Sequence, residues 1–185
     1  VLMGANGAGK STLVKAICGH HRADGGTMTL AGRPFDTADA ADAIRQGVVT
    51  VHQSIDDGVI PDLDVANNLM LDRLVQPGHG LFVRERRLRA EAARVAAAMG
   101  IDVNLKARVS DLSVADRQMI AIARAMARAP KVLILDEPTS SLSATEADRL
   151  FELIDRLRAQ GVAILYISHR MSDIRRIADR IVVMR

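Results

Sequence analysis

The chain has 185 residues, of which 49% are hydrophobic, so it is long enough to bury the core of one domain or of one domain with an inserted lobe. Its formal net charge of +3 excludes the strong basic field that marks nucleic-acid binders, and its single cysteine excludes an internal disulfide. No apolar run approaches the length that spans a bilayer and no signal peptide is recognisable, which predicts a soluble, cytoplasmic chain.

A glycine-rich stretch from Gly4 to Ser11 fits the pattern Gly-x-x-x-x-Gly-Lys-Ser/Thr. An apolar stretch over 1–3 precedes it and a helical pattern follows, which is the context that a phosphate-binding loop requires. Glycines let such a loop turn tightly and point its N–H groups at one anion. Lys10 is expected to meet the β and γ phosphates and Ser11 to offer its hydroxyl to Mg²⁺. The alternative, a glycine-rich turn that happens to precede a lysine, is disfavoured by this context.

The next part of the chain alternates between helical and strand patterns, as an α/β sheet requires. The predicted elements are a helix over 10–18, a strand over 27–30, a helix over 37–46 and a strand over 48–51. His52 and Gln53 stand directly after the last of these strands. Because ligands bind at the carboxyl ends of strands in parallel sheets, this polar pair is a site candidate.

The middle of the chain, from 64 to 126, is almost wholly helical in pattern. Asp64 is predicted to cap a helix over 65–71, residues 76–80 break the chain, and a long helix is predicted over 84–99. The arginine-rich start of the long helix is interpreted as a solvated face and not as a phosphate contact, because glutamates interrupt it and the aromatic content is only 2%. Ser113 begins a further amphipathic helix and, taken alone, is an ordinary N-cap.

Residues 131–135 return to a fully apolar strand pattern that delivers Asp136 and Glu137 to its carboxyl end. Burying two adjacent carboxylates is costly unless a cation or hydrogen bonds compensate, so packing alone does not explain the pair. A phosphate-loop enzyme needs one acid to hold Mg²⁺, usually through water, and another to orient or deprotonate the attacking water. The alternative is a surface turn that merely begins Asp-Glu-Pro, and the phosphate loop makes that alternative the weaker one.

The last part of the chain adds a helix and a strand. Ser143 and Glu146 have the spacing of a capping box for the helix. Its predicted inward face consists of Ala147, Leu150, Phe151, Ile154 and Leu157. Residues 162–167 predict a buried strand with His169 at its tip. A lone histidine is usually structural, but one at the same sheet edge as the phosphate loop and the acid pair is predicted to contact the γ-phosphate.

The order of these parts resembles the ATPase domain of ATP-binding-cassette transporters over essentially the whole chain. More narrowly, the stretches 51–53, 61–68, 112–114, 117–119, 136–142 and 167–171 resemble the N-terminal cassette of monosaccharide importer ATPases of the ribose, galactose and xylose type. Those proteins carry two cassettes fused in one polypeptide. Because this chain opens at Val1 on the strand that feeds the phosphate loop, we expect it to be a piece of a longer chain.

The resemblance implies an α/β fold of the P-loop NTPase (RecA-like) type, with a mostly parallel sheet flanked by helices and an inserted all-helical subdomain. Residues 1–60 and 130–185 would form the nucleotide-binding core. Residues 61–129 would form the helical subdomain and carry the family's signature loop, which here begins at Leu112 and Ser113. Together they would make one ATPase domain that is truncated at both ends.

The resemblance also implies which residues bind the nucleotide and its metal. The nucleotide-binding residues would be Gly4, Asn6, Gly7, Ala8, Gly9, Lys10, Ser11 and Thr12. The ligands of Mg²⁺ would be Ser11, Gln53 and Asp136. ATP and Mg²⁺ are therefore the expected cofactors.

The remaining implied roles concern hydrolysis and the partner cassette. Glu137 would act as the general base, and His169 would hold the γ-phosphate. Gln53 would approach the metal or the lytic water and pass the nucleotide state to the membrane subunit. Ser113 would reach in trans to the γ-phosphate bound by a partner cassette. The signature loop usually runs Leu-Ser-Gly-Gly-Gln, whereas residues 114–116 here are Val, Ala and Asp.

The implied function is ATP hydrolysis that powers import of a sugar, expected to be a monosaccharide in this branch, at the cytoplasmic face of the cell membrane. The implied partners are a second cassette, an integral membrane permease and, indirectly, an extracytoplasmic sugar-binding protein, with no nucleic acid. Two alternatives stay open. One is a soluble cassette ATPase that serves translation or DNA repair, and the other is a non-hydrolysing nucleotide-binding clamp, for which the altered signature loop leaves room.

Overall fold

The structure, a computed structural model, describes residues 1–54, 58–74 and 85–185, without the side chains of 73 and 74. Parallel strands form its central sheet, and a short antiparallel ribbon lies beside it. The sheet strands are β1 (Leu2–Gly4), β4 (Val48–Val51), β5 (Val132–Asp136), β6 (Ala163–Ile167) and β7 (Val182–Met184), and the ribbon strands are β2 (Thr29–Leu30) and β3 (Arg33–Pro34). The strand order in the sheet is β4-β5-β6-β1-β7.

Helices connect these strands and also fill the middle of the chain. The helices are α1 (Lys10–Ile17), α2 (Ala40–Gln46), α3 (Val65–Leu74), α4 (Glu85–Met99), α5 (Val114–Met126), α6 (Ala144–Ala159) and α7 (Met171–Ile177). Within the described ranges, none of these helices has the length and apolar character that crossing a membrane requires.

The predicted elements are confirmed, with shifts at their ends. Asp39 caps α2 by accepting a hydrogen bond from the Asp42 N–H at 2.7 Å, so this helix begins at Ala40 and not at residue 37. Asp64 accepts a hydrogen bond from the Asn67 N–H at 2.7 Å as predicted, but α3 continues to Leu74. The predicted break at 76–80 and the first residue of the predicted helix over 84–99 lie outside the described residues.

The two predicted serine caps are present. Ser113 accepts a hydrogen bond from the Asp116 N–H at 3.1 Å and so begins α5. Ser143 and Glu146 form the predicted capping box of α6. The predicted inward face of α6 is buried throughout. These local signals hold because a cap satisfies backbone N–H groups that the helix itself leaves without acceptors.

Alternate residues of the central strands face two hydrophobic clusters, one on each side of the sheet. Leu133 and Leu135 pack into the first cluster, together with residues of α3, α4, α5 and α6. Ile134 packs into the second cluster, together with Val14 of α1 and Ala43 of α2. The first cluster runs without interruption from the sheet into the helical middle of the chain. The division of the chain at 60/61 and 129/130 stays a prediction.

Candidate active site

The carboxyl ends of four neighbouring strands gather most of the predicted site residues at one edge of the sheet. Neighbouring strands pair Val51 with Leu135, Asp136 with Ile167, and Leu2 with Ile167, all in parallel. The loop that follows β1, the segments that follow β4 and β5, and the loop that follows β6 therefore leave the sheet on the same side. This arrangement confirms the expectation that polar strand ends meet at one edge.

The glycine-rich loop turns closely around the side chain of Lys10. Its ammonium donates hydrogen bonds to the carbonyl oxygens of Gly4 at 2.8 Å and Ala5 at 3.0 Å. Gly7 and Gly9 have φ angles of +84° and +88°, a left-handed backbone that favours glycine. A Cβ on Gly4 would lie 2.5 Å from the carbonyl oxygen of Met184 in β7, so glycine alone fits there.

The helix that follows the loop offers further groups to an anion. α1 begins at Lys10, and the N–H groups of a first helical turn have no acceptor within the helix. These N–H groups and the positive end of the helix dipole attract negative charge. Asn6, Ser11 and Thr12 are exposed beside them, whereas Ala8 and Gly9 are half-buried. The loop and helix together fit a bound phosphate chain.

Asp136, the last residue of β5, is half-buried at the same edge. Burial raises the pKa of this carboxyl group, and the neighbouring charge of Glu137 raises it further. His52 and Lys10 act electrostatically in the opposite direction and lower the Asp136 pKa. Lys10 from the phosphate loop and Asp136 from β5 are therefore close enough to interact electrostatically.

Glu137 and His169 contact each other directly. The Nδ1 atom of His169 lies 3.1 Å from Oε1 of Glu137, although the two residues are far apart in sequence. The Glu137 side chain is 21% exposed and that of His169 is 65% exposed. The Glu137 backbone has a φ of +46° and its N–H donates to the Ile167 carbonyl at 3.0 Å. A left-handed backbone at a residue other than glycine costs about 1–3 kcal/mol.

His52 and Gln53 leave the end of β4 as exposed residues on this side of the sheet. The His52 ring lies edge-on to the ring of His20, with 6.4 Å between their centroids. Its influence on the Asp136 pKa makes His52 part of the site electrostatics, whereas the resemblance assigned a role in the site only to its neighbour Gln53, as a group that approaches the metal or the lytic water. The place of His52 directly after a buried strand was the available sequence signal.

Ser113 lies elsewhere, at the start of α5. Its hydroxyl donates to Oδ2 of Asp116 at 2.8 Å while it accepts the Asp116 N–H. The other oxygen of Asp116 accepts a hydrogen bond from the Arg149 guanidinium on α6 at 3.2 Å. In this chain Ser113 thus contacts Asp116 of α5, and Asp116 in turn links α5 to α6. Its role in the site of a partner cassette stays a prediction.

The residues at this edge suit Mg²⁺ held jointly with phosphates. In the described ranges, no group of three or more His, Cys, Asp or Glu side chains could hold a metal ion by itself. Asp136 and the Ser11 hydroxyl are hard oxygen ligands, which Mg²⁺ prefers when substrate phosphates complete its coordination. A nearby cation would also stabilise the half-buried Asp136 carboxylate, because burial disfavours its negative charge.

Comparison with known proteins finds relatives over the whole chain. The family model described as "ABC transporter" matches residues 1–140. The chain is 46% identical over 184 residues to the arabinose import ATP-binding protein AraG 1 of Burkholderia cenocepacia (strain HI2424), which covers 100% of the chain and 36% of that relative. It is also 46% identical over 182 residues to a putative ribose/galactose/methyl galactoside import ATP-binding protein of the same organism, covering 98% of the chain and 35% of the relative. The chain thus spans about a third of the length of the curated relatives it matches.

Solved structures share the fold. An ATP-binding cassette of an ABC transporter in its ADP conformation superposes with a TM-score of 0.83 at 24% identity, over 99% of this chain and 75% of that one. A dimeric cassette in a post-hydrolysis state with ADP and phosphate superposes with a TM-score of 0.78 at 21% identity, over 99% of this chain and 79% of that one. These likenesses confirm the predicted P-loop NTPase fold.

Proposed function

The chain belongs to the ABC transporter family, and we propose that it is an ATP-binding and ATP-hydrolysing cassette that powers import of a sugar through a membrane permease. The observation that carries the proposal is the meeting of Lys10, Asp136 and the Glu137–His169 pair at one sheet edge. The likeness to arabinose and ribose/galactose import proteins supports sugar as the cargo, and a monosaccharide in particular.

The phosphate chain would lie against the loop from Gly4 to Thr12. Lys10 would exchange its two carbonyl hydrogen bonds for the β and γ phosphates, and the N–H groups of the loop and the first turn of α1 would bind the phosphate oxygens. Asp136, Ser11 and Gln53 would hold Mg²⁺, which supplies charge neutralisation to the phosphoryl transfer when it is bound. The protein contributes mainly position and electrostatic stabilisation.

Glu137 and His169 would serve the attacking water and the γ-phosphate. The carboxylate of Glu137 is the proposed general base, because it is partly shielded and lies at the edge where the γ-phosphate would end. The exposed imidazole of His169 accompanies it at 3.1 Å and would hold the γ-phosphate. In this arrangement the contact between the imidazole and the carboxylate places both groups where the γ-phosphate and the attacking water would lie.

The proposed cassette acts in a larger assembly at the cytoplasmic face of the cell membrane. In the proposed division, residues 1–60 and 130–185 form the nucleotide-binding core and residues 61–129 form the helical subdomain. Ser113 would complete the site of a second cassette in trans. An integral membrane permease and an extracytoplasmic sugar-binding protein would supply the path and the cargo, with Gln53 transmitting the nucleotide state.

The test is nucleotide binding by a Lys10→Ala variant, measured with a fluorescent ATP analogue and Mg²⁺ on the assembled cassettes and permease. We expect binding to be lost, because the ammonium is the positive side chain at the centre of the loop. Lys15→Ala, which removes an exposed lysine from the same helix, is the matched control and should bind normally. Unchanged affinity in Lys10→Ala would refute the phosphate-loop assignment. Binding without any phosphate release by the wild type would favour the clamp alternative.

A further inference from the structure

A buried carboxylate lies behind the Glu137–His169 pair. Asp173 on α7 is 2% exposed and accepts hydrogen bonds from hydroxyl groups on three different segments. Its Oδ2 accepts from Thr139 Oγ1 in a short hydrogen bond, from Tyr166 Oη at 3.2 Å and from Ser168 Oγ at 3.2 Å. We call these four side chains the Asp173 network. They join the segment after β5, the strand β6, and the loop after β6 to a single carboxylate.

The Asp173 network reaches Glu137 through Thr139. Thr139 is 1% exposed and stands just after Pro138, which itself follows Glu137. The Arg170 guanidinium donates to the Thr139 carbonyl at 2.7 Å, so side chain and backbone of Thr139 are both held by the segment around α7. Glu137, whose backbone is left-handed, therefore lies two residues before Thr139, which hydrogen bonds hold in place.

The same network holds both neighbours of His169. Ser168 donates to Asp173 while it accepts the N–H of Arg170 at 3.0 Å. The Arg170 guanidinium lies 3.8 Å from Asp173. His169 itself is 65% exposed, so packing against other side chains orients its ring only weakly. The position of the imidazole consequently depends on the backbone that Ser168 and Arg170 fix.

The cost of this network argues for a role beyond packing. Removing a carboxylate from water is expensive, and apolar side chains of similar volume would fill the same space at lower cost. Burial raises the pKa of Tyr166 far above its ordinary value, so its phenol stays a hydrogen-bond donor to Asp173. A carboxylate that accepts several hydroxyl donors fixes their relative positions in a way that apolar packing does not.

We propose that Asp173 is a positioning residue for ATP hydrolysis, because it ties the Glu137 segment to the His169 loop and so sets the contact between the carboxylate and the imidazole. The inference rests on the proposed function for its catalytic consequence. Its structural claim, that Asp173 determines where the His169 ring lies, stands independently of any activity.

The kinetic test compares Asp173→Asn with Asp155→Asn in the assembled transporter. Asp155 is a partly exposed aspartate of α6 that pairs with Arg158 and Arg176, so its variant controls for the loss of one carboxylate charge. We expect kcat to fall by about tenfold or more in Asp173→Asn, since small misplacements of catalytic groups have such effects. ATP affinity should stay within about twofold of the wild type, because the phosphate loop is untouched. A fall in affinity with unchanged kcat would overturn the proposal.

Thr139 supplies a second pair of variants that does not alter charge. Thr139→Val removes the hydroxyl that donates to Asp173 and should lower kcat, whereas Thr139→Ser keeps it and should restore most of the rate. When it is combined with Glu137→Gln, Asp173→Asn should lower kcat little further, because both substitutions impair the action of the Glu137 carboxylate. If the double substitution lowered kcat by the product of the two single effects, the change at Asp173 would be a general structural effect, and this would contradict the proposal.

Nuclear magnetic resonance of histidine-labelled protein tests the position of the His169 ring separately from its consequence for ATP hydrolysis. The ring signals of His169, identified by their loss in His169→Ala, should shift in Asp173→Asn and Thr139→Val and stay in place in Asp155→Asn. Unshifted signals in the first two variants would overturn the positioning role. A wild type that shows no ATP turnover would defeat the proposed function, and the ring shifts would still decide the position of His169.

Discussion

At the scale of single residues, Glu137 has a backbone conformation that costs free energy and a side chain that contacts a second site residue. Its φ of +46° lies in the left-handed region, and its carboxylate contacts the His169 imidazole at 3.1 Å. The hydrogen bond from its N–H to Ile167 holds the chain in this conformation at the end of β6. The hydrogen bond to Ile167 and the contact with His169 thus both involve a residue whose backbone conformation costs free energy.

We therefore expect Glu137→Gln to retain ATP binding and to lose turnover by about a hundredfold or more, the range over which a general base contributes. The amide keeps the shape of the side chain but cannot accept the proton. Phosphate release in the assembled transporter measures the loss. Glu152→Gln, at an exposed position of α6, is the control and should hydrolyse ATP normally. Steady hydrolysis by Glu137→Gln would remove Glu137 from this role.

Asp136 predicts a pH dependence of stability. Burial and the Glu137 charge raise its pKa in the folded protein above the ordinary value of 3.8. A raised carboxyl pKa means that the folded state binds the proton more tightly, so stability falls as the pH rises from the unfolded pKa through the folded pKa. The penalty disappears when the pH falls below the unfolded value.

Without Mg²⁺, Asp136→Asn should therefore melt at a higher temperature than the wild type at pH 7. The difference should shrink as the pH falls toward the ordinary value of 3.8, because the folded wild type then binds a proton at this carboxyl group. Thermal melts across this pH range measure it. Asp148→Asn, at an exposed position of α6, controls for the loss of a negative charge. An Asp136→Asn variant that melts at or below the wild-type temperature at pH 7 would contradict the argument.

At the scale of elements, caps fix where the helices begin and so where the loops deliver their side chains. The start of α6 is the clearest case. The Ser143 N–H donates to Glu146 Oε2 at 2.9 Å, and the Glu146 N–H donates back to Ser143 Oγ at 3.4 Å. Because α6 follows the segment that contains Glu137 and Thr139, its capped start limits how far that segment can move.

Ser143→Ala should lower the free energy of unfolding by about 1 kcal/mol, the usual cost of losing an N-cap. Urea denaturation followed by circular dichroism measures the change. Ser110→Ala removes an exposed hydroxyl whose hydrogen bond is to the adjacent Asp111, and it should change the stability little. Equal effects of the two substitutions would show that the capping box contributes no special stability.

At the scale of the whole molecule, the parallel sheet joins parts of the chain that are distant in sequence. β1 lies between β6 and β7, so the first strand of the chain pairs with its last ones. Helices cover both faces, and the larger hydrophobic cluster extends into α3, α4 and α5. This arrangement brings the phosphate loop, the acid pair and the histidine to one edge, while the Ser113 hydroxyl donates to Asp116, which also pairs with Arg149.

The sequence by itself determined the elements, because caps, strand patterns and the spacing of the phosphate loop are local, whereas the roles of the site residues stay predictions. It predicted the helix faces, the serine caps and the polar residues at the strand ends. The tertiary structure alone decided the strand order, the contact between Glu137 and His169, the influence of His52 on Asp136, and the Asp173 network. These depend on residues brought together across the sheet, as with Thr139 and Asp173, and no local pattern encodes which distant hydroxyl a buried carboxylate will accept.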